Sequence, residues 1–158
     1  MLENNDLENT LRLELSTGTV TIALRPDEAP NHVARIKELA REGFYDGTIF
    51  HRVIPGFMAQ GGDPKGTGYG GSGTKLKAEF NKLPHGRGAA SMARGPSADS
   101  ADSQFFIVFD NASFLDGDYT VWGQVTDGME CVDQLAVGEP PANPSKIIKM
   151  QVMADITE

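Results

Sequence analysis

Leu11, Leu13 and Leu15 alternate with Arg12 and Glu14, and Val20, Ile22 and Leu24 alternate with Thr19, Thr21 and Ala23. This period of two on both sides of Ser16-Thr17-Gly18 predicts two strands joined by a tight glycine turn over 11–25. From Pro30 the period changes: Val33, Ile36, Leu39 and Ala40 recur at helical spacing, with Pro30 suited to the first turn and Gly43 to the C-terminal cap. The pattern predicts an amphipathic helix of about three turns, with Arg35, Lys37, Glu38, Arg41 and Glu42 on a solvated face. Further strands are expected over 48–54, 89–93, 104–109, 120–125 and 147–156, with a short apolar run at 57–59 after Pro55-Gly56. A second short helix is expected over 129–136, turning Val132, Leu135 and Ala136 inward. Many short strands, two helices and eighteen glycines suggest a mostly antiparallel barrel or sandwich whose ends the helices cover. SADSADS at 97–103 is expected to be an exposed loop.

Within 48–54, one residue resists this pattern. On a strand, Phe50, Arg52 and Ile54 share one face and Ile49, His51 and Val53 the other. Both faces are largely apolar, yet a guanidinium keeps its charge and needs a partner, an open groove or a ligand. The plainest structural reading is an ion pair with Glu79 or Asp63.

The remaining composition narrows the function. A chain of 158 residues fits one domain, 1–158, burying roughly two thirds of its unfolded surface, with 1–9 expected as a loosely ordered extension. Twenty-two acidic against fourteen basic residues, a net charge of −8, argue against nucleic acid as a partner. The single cysteine, Cys131, excludes an internal disulfide and reads as a small helix hydrophobe. The start, MLENNDLENT, lacks a basic segment followed by an apolar one, and no stretch approaches membrane-spanning length. The expectation is a soluble, cytoplasmic, monomeric protein with no membrane partner.

Several motifs fail on context. Gly66-Thr67-Gly68-Tyr69-Gly70-Gly71 matches the dinucleotide fingerprint, but no strand precedes it and no helix follows. Residues 68–75 resemble a P-loop with lysine and threonine in the wrong order. His32, His51 and His85 lack neighbours at metal-ligand spacing, so no metal is expected. Ser91 or Ser103 could in principle join a histidine and an aspartate, but no nucleophile elbow is present.

FHRVIPGFMAQGGD at 50–63, SMAR at 91–94, SQFFI at 103–107 and FLDG at 114–117 together, in order and spacing, resemble the signature blocks of the cyclophilins, the peptidyl-prolyl cis-trans isomerases. The resemblance spans roughly residues 10 to 156. It implies a mainly β fold, a closed eight-stranded antiparallel barrel capped by two α-helices, with a substrate groove on its outer surface. It also implies that Arg52 is catalytic and that Gln60 helps hold it. Phe57, Met58, Phe106 and Leu115 would form the proline pocket, while Ala93 and the backbone of Arg94 pair with the peptide as an added strand. Gly66, Thr67 and Gly68 would line a second pocket, in a glycine loop that differs in length from that of better-known eukaryotic members. Where many of those carry tryptophan this chain has Phe114, which loses the indole donor, so cyclosporin binding is expected to be weak. Tyr119 stands where they place histidine. The only tryptophan, Trp122, falls inside a strand pattern and is expected in the core.

The implied function is rotation of X-Pro peptide bonds in proline-containing peptides and unfolded proteins, assisting folding without cofactor. A proline-peptide binding module or holdase chaperone with incidental turnover is the alternative; it would need the pocket but not Arg52 and Gln60. An internal ligand-storing barrel is disfavoured, because Val, Ile, Leu and Phe fill the interior positions.

Overall fold

The computed structural model describes residues 7–68 and 70–156, so most of the extension expected at 1–9 lies outside the described residues. In chain order the elements are β1 (Thr10–Leu15), β2 (Gly18–Leu24), α1 (Pro30–Arg41), β3 (Arg52–Ile54), β4 (Met58–Gly61), β5 (Ala89–Met92), β6 (Phe105–Val108), β7 (Val121–Asp127), α2 (Met129–Asp133) and β8 (Ile147–Val152). All eight strands form one antiparallel sheet in the order β3-β4-β6-β5-β7-β2-β1-β8. No described helix is long and apolar enough to cross a membrane.

The sheet is curled but open, which narrows the expectation of a closed barrel. β3 and β8 are its terminal strands, and an isolated bridge between Ile49 and Lys146 joins their flanks. Around it, Ile147 donates its N–H to Thr48 at 2.8 Å and Phe50 donates to Ser145 at 3.0 Å. A longer ladder is prevented locally. Pro55 ends β3 after three residues because it has no N–H to donate, and the outer edge of Val53 is taken by Gly138, which exchanges both backbone hydrogen bonds with it.

Strand alternation divides the apolar side chains into two bodies. Leu11, Leu13 and Leu15 face the interior opposite Ile22, Val20 and Gly18, and α1 covers one end with Val33, Ile36 and Leu39. β6 is buried at all four positions: Phe105 and Ile107 join this inner core, while Phe106 and Val108 belong to a separate outer cluster with Met58, Ala89 and Val121. Trp122 is in the inner core as expected, with its ring edge-on to Phe105 at 5.8 Å.

Five local expectations change. Phe50 does not share a face with Arg52: regular pairing starts only at Arg52, and Phe50 turns into the inner core against Gly61 and Phe105. The second half of the 97–103 loop is not exposed, because Leu76 pairs with Ala101 and Ser103 donates to the Gly62 carbonyl at 2.8 Å. Arg35 and Lys37 are largely covered, Arg35 reaching Ser72 and Lys37 reaching Glu8 and Asn9. α2 stops at Asp133, short of 136, and β8 gives way to a 3₁₀ turn at Met153–Asp155.

The caps of α1 explain its limits. Gly43 adopts φ +73°, letting its own N–H and that of Phe44 fold back on Ala40 and Leu39. At the other end no side chain of the helix itself serves as cap. Glu79, from the long connection between β4 and β5, accepts the N–H groups of Asn31 (3.1 Å) and His32 (2.7 Å) and lies 2.6 Å from His32 Nδ1. Burial holds the His32 imidazole below its ordinary range. Burial pushes the Glu79 carboxyl up, but the hydrogen bonds from the His32 ring and the two backbone N–H groups outweigh this and leave it below the usual carboxylate range.

Both groups have depressed folded-state pKa values, so in each the unfolded chain binds the proton more readily and acid destabilises the fold. Stability is expected to be complete above about pH 6.5, to decline below it as unfolded His32 takes up its proton, and to fall further once Glu79 titrates. Glu79→Ala is expected to cost about 2 kcal/mol at neutral pH, read as a lower urea midpoint with unchanged m-value.

Candidate active site

The outward-facing residues of four neighbouring strands fall into register. Arg52 on β3 is opposite Gln60 on β4, Gln60 is opposite Phe106 on β6, and Phe106 is opposite Ser91 on β5. Two residues along each strand, on the same face, Ile54, Met58 and Val108 make a parallel apolar row. The cross-strand spacing thus places a guanidinium and an amide beside a hydrophobic floor. Phe57 and the turn carrying Leu115 rise on one side, and Ala93, Arg94 and Tyr119 on the other. Together with Arg52, Met58, Gln60 and Phe106 they enclose a cavity of about 150 Å³.

Most of the expected substrate residues therefore converge. Phe114 does not line this cavity: it stands 70% exposed at the rim, its ring 5.6 Å from that of Phe57. Arg94 has no backbone partner among the described residues, as an added-strand contact requires, because β5 ends at Met92 and the last paired N–H is that of Ala93, donated to Gln104. Its guanidinium lies over the rings of Tyr119 at 4.9 Å and Phe80 at 5.6 Å, and its Nε donates to Asp118.

Two further depressions adjoin this cavity, where a second pocket lined by Gly66, Thr67 and Gly68 is expected. A neighbouring depression of about 490 Å³ is lined by Gly68, Gly70, Gly71, Lys75, Ser100 and Asp102, among others. Of the three expected residues it includes only Gly68. All three, Gly66, Thr67 and Gly68, line a third depression of about 580 Å³ with His51, Arg52, Gln60, Glu139 and Pro140. The glycine run wraps round Asp63, whose buried carboxylate accepts the N–H groups of Lys65, Thr67, Gly68 and Gly70 at 2.6–3.1 Å. At Gly70 a Cβ would run into this carboxylate. Burial raises the Asp63 carboxyl, yet the four N–H donors prevail and hold it below the ordinary range. The amides that a dinucleotide phosphate would need are thus already satisfied.

Arg52 pairs with neither Glu79 nor Asp63. Its Nε donates to Glu139 at 2.7 Å, and the side chain remains 44% exposed. Gln60, expected to hold it, donates instead to Gln104 at 2.9 Å, and Gln104 donates in turn to the Gly70 carbonyl. Among the described residues Nη1 and Nη2 of Arg52 have no partner.

Sequence reasoning missed Glu139, Gln104 and His85. The His85 ring stacks beneath Phe106 at 5.9 Å, with Nδ1 2.9 Å from Asp116 and Nε2 2.9 Å from Ser91. The N–H and ring of His85 keep the Asp116 carboxyl below its ordinary range. This is the Ser–His–Asp order considered from the sequence, but Ser91 is fully buried and also lies 3.1 Å from the Thr120 carbonyl, so no nucleophile faces solvent. The trio supports the floor of the cavity. HGRGAAS at 85–91 offered one signal, a histidine six residues before the strand serine; nothing local marked Glu139, which lies 87 positions from Arg52. Among the described residues no group of three or more His, Cys, Asp or Glu is placed to hold a metal.

Comparisons with known proteins place the chain in one family. The profile of the family described as cyclophilin type peptidyl-prolyl cis-trans isomerase/CLD matches residues 10–152. A probable peptidyl-prolyl cis-trans isomerase of Brucella suis is 50% identical over 168 aligned positions, covering 95% of this chain and 85% of its own. Among solved structures, cyclophilin AquaCyp293 from Hirschia baltica superposes with a TM-score of 0.89 at 31% identity, covering 96% of this chain and 76% of its own. A cyclophilin type isomerase from Cryptosporidium parvum, solved in the presence of the dipeptide Ala-Pro, gives 0.85 at 30% identity over 90% of this chain and 98% of its own.

Asp63→Ala removes the acceptor shared by four backbone N–H groups and is expected to raise amide hydrogen exchange at Lys65, Thr67, Gly68 and Gly70 by about tenfold or more. Amides of β1, β2 and β7 are expected to keep their protection; equal loss throughout would show that Asp63 supports the whole fold and not this loop.

Proposed function

Since the chain belongs to the cyclophilin-type peptidyl-prolyl cis-trans isomerases and is an enzyme of that activity, we propose that Arg52 is its catalytic group and that the cavity over Phe106 and Met58 receives the proline ring. Rotation about a peptide bond is opposed by about 18–20 kcal/mol, because the nitrogen lone pair is delocalised into the carbonyl. An acceleration of about 10⁵-fold requires a reduction of roughly 7 kcal/mol. No covalent bond has to form or break. The site must hold the ring, leave the preceding carbonyl free to swing, and favour the twisted imide over either planar isomer.

The observation that supports this reading is the pair of Arg52 nitrogens, without a partner among the described residues, at the edge of a cavity floored by Met58 and Phe106. In the twisted state the imide nitrogen becomes basic, so a fixed cationic donor aimed at that nitrogen or at the moving carbonyl binds it more strongly than either flat form. Phe57, Met58, Phe106 and Leu115 grip the ring by shape and exclude water, which leaves the guanidinium less screened. The backbone of Arg94 pairs with the residue before proline, and Gln60 positions Gln104 and the glycine loop beside the groove. Proline-containing segments of unfolded chains are the substrates this site fits.

Arg52→Ala is expected to slow cis–trans exchange of a short Ala-Pro peptide about 10²–10³-fold while peptide affinity changes little, as separated by NMR exchange spectroscopy. A mutant of full speed would remove Arg52 from the mechanism. Normal binding by the wild-type protein without catalysed exchange would favour the binding-module reading. Phe114 offers cyclosporin an aromatic face without an N–H donor, so binding is expected to be weak; Phe114→Trp is expected to tighten it about tenfold by restoring one hydrogen bond, measured by calorimetry.

A further inference from the structure

We propose that Glu139 is the positioning residue for Arg52, holding the guanidinium by its Nε so that Nη1 and Nη2 are presented to the twisting imide. The proposal rests on the reading of Arg52 as the catalytic group. Arg52 lies on an end strand, half exposed, with four side-chain torsions and, among the described residues, no side-chain hydrogen bond from β4 to its head. Left alone, such a side chain distributes over several rotamers, and only some point a donor at the cavity. Gln60, its cross-strand neighbour, is engaged with Gln104. The 2.7 Å hydrogen bond from Nε to Glu139 is the contact that selects one arrangement.

Glu139 is well placed to do so. The residue before it, Gly138, exchanges both backbone hydrogen bonds with Val53, the residue after Arg52, at 2.9 and 3.1 Å. Gly138 also bridges to Pro141, so the turn is tied at both ends of the glutamate. The backbone bearing the carboxylate is thereby in register with the backbone bearing the guanidinium. Engagement through Nε has a geometric consequence: it leaves both terminal nitrogens outward, whereas a fork-to-fork carboxylate would occupy one of them. An ion pair this exposed contributes little to folding stability. A carboxylate this close also weakens the field of the guanidinium, and the proposal holds that fixing its direction outweighs that loss.

The test measures interconversion and binding of an Ala-Pro tetrapeptide by exchange spectroscopy, with melting temperature recorded alongside. Glu139→Ala is expected to slow bound-state interconversion about tenfold, leave the peptide Kd within about twofold and leave the melting temperature unchanged. Glu139→Gln keeps an acceptor oxygen at the same reach and is expected to recover most of the rate. In an Arg52→Ala background, Glu139→Ala is expected to have no further effect. Glu139→Ala at wild-type speed or faster, a rate loss matched by lost binding, a glutamine variant no better than alanine, or further slowing without Arg52 would each overturn the assignment. Arg52→Ala at wild-type speed is a separate result: it would overturn the role of Arg52 and this proposal with it.

Discussion

The two-sided burial of β6 is the constraint on which the rest of the molecule depends. Phe105 and Ile107 point into the core beneath α1, while Phe106 and Val108 point the other way into the outer cluster. A strand of four residues therefore fastens the body of the protein with one face and floors the candidate active site with the other. Because these faces share a backbone, the floor is as rigid as the core. The site needs that rigidity, since a proline ring held loosely would move with its carbonyl instead of against it.

Around this rigid sheet, carboxylates organise the parts that have no ladder of their own. Asp63 gathers the glycine run, Asp102 holds Ser72 and Gly73, Glu79 caps α1, and Asp116 seats His85 beneath Phe106. All four accept backbone N–H groups. The acidic surplus of the chain is thus partly internal structure, and four carboxylates give the connection from residue 62 to residue 88 a defined course beside the groove. Glu139 does for a side chain what these four do for backbone.

Much of this was legible in the sequence because it was written in periodicity. The hairpin of β1 and β2, the helix from Pro30 to the Gly43 cap and the core position of Trp122 follow from alternation, spacing and capping chemistry. The grouping of Arg52, Met58 and Phe106 followed from resemblance, and its physical basis, the cross-strand row, needs register that one strand alone does not encode. Phe50 was misplaced because alternation was extended through residues that do not pair. Ala101 and Ser103 were misread because small polar residues look alike whether solvent or a folded-back loop covers them. Glu139 and His85 were illegible for a simpler reason: their partners are distant in the chain, and a lone acid or histidine has no pattern.

The position of the single indole sets what light can report about this protein. Trp122 is walled in beside Phe105, with none of its surface in the groove, while the exposed aromatic at the rim is Phe114. Its ultraviolet emission is therefore a gauge of whether the interior is intact and is nearly blind to occupancy of the peptide groove. A flat titration curve in this protein would describe the location of its fluorophore, not the absence of a guest.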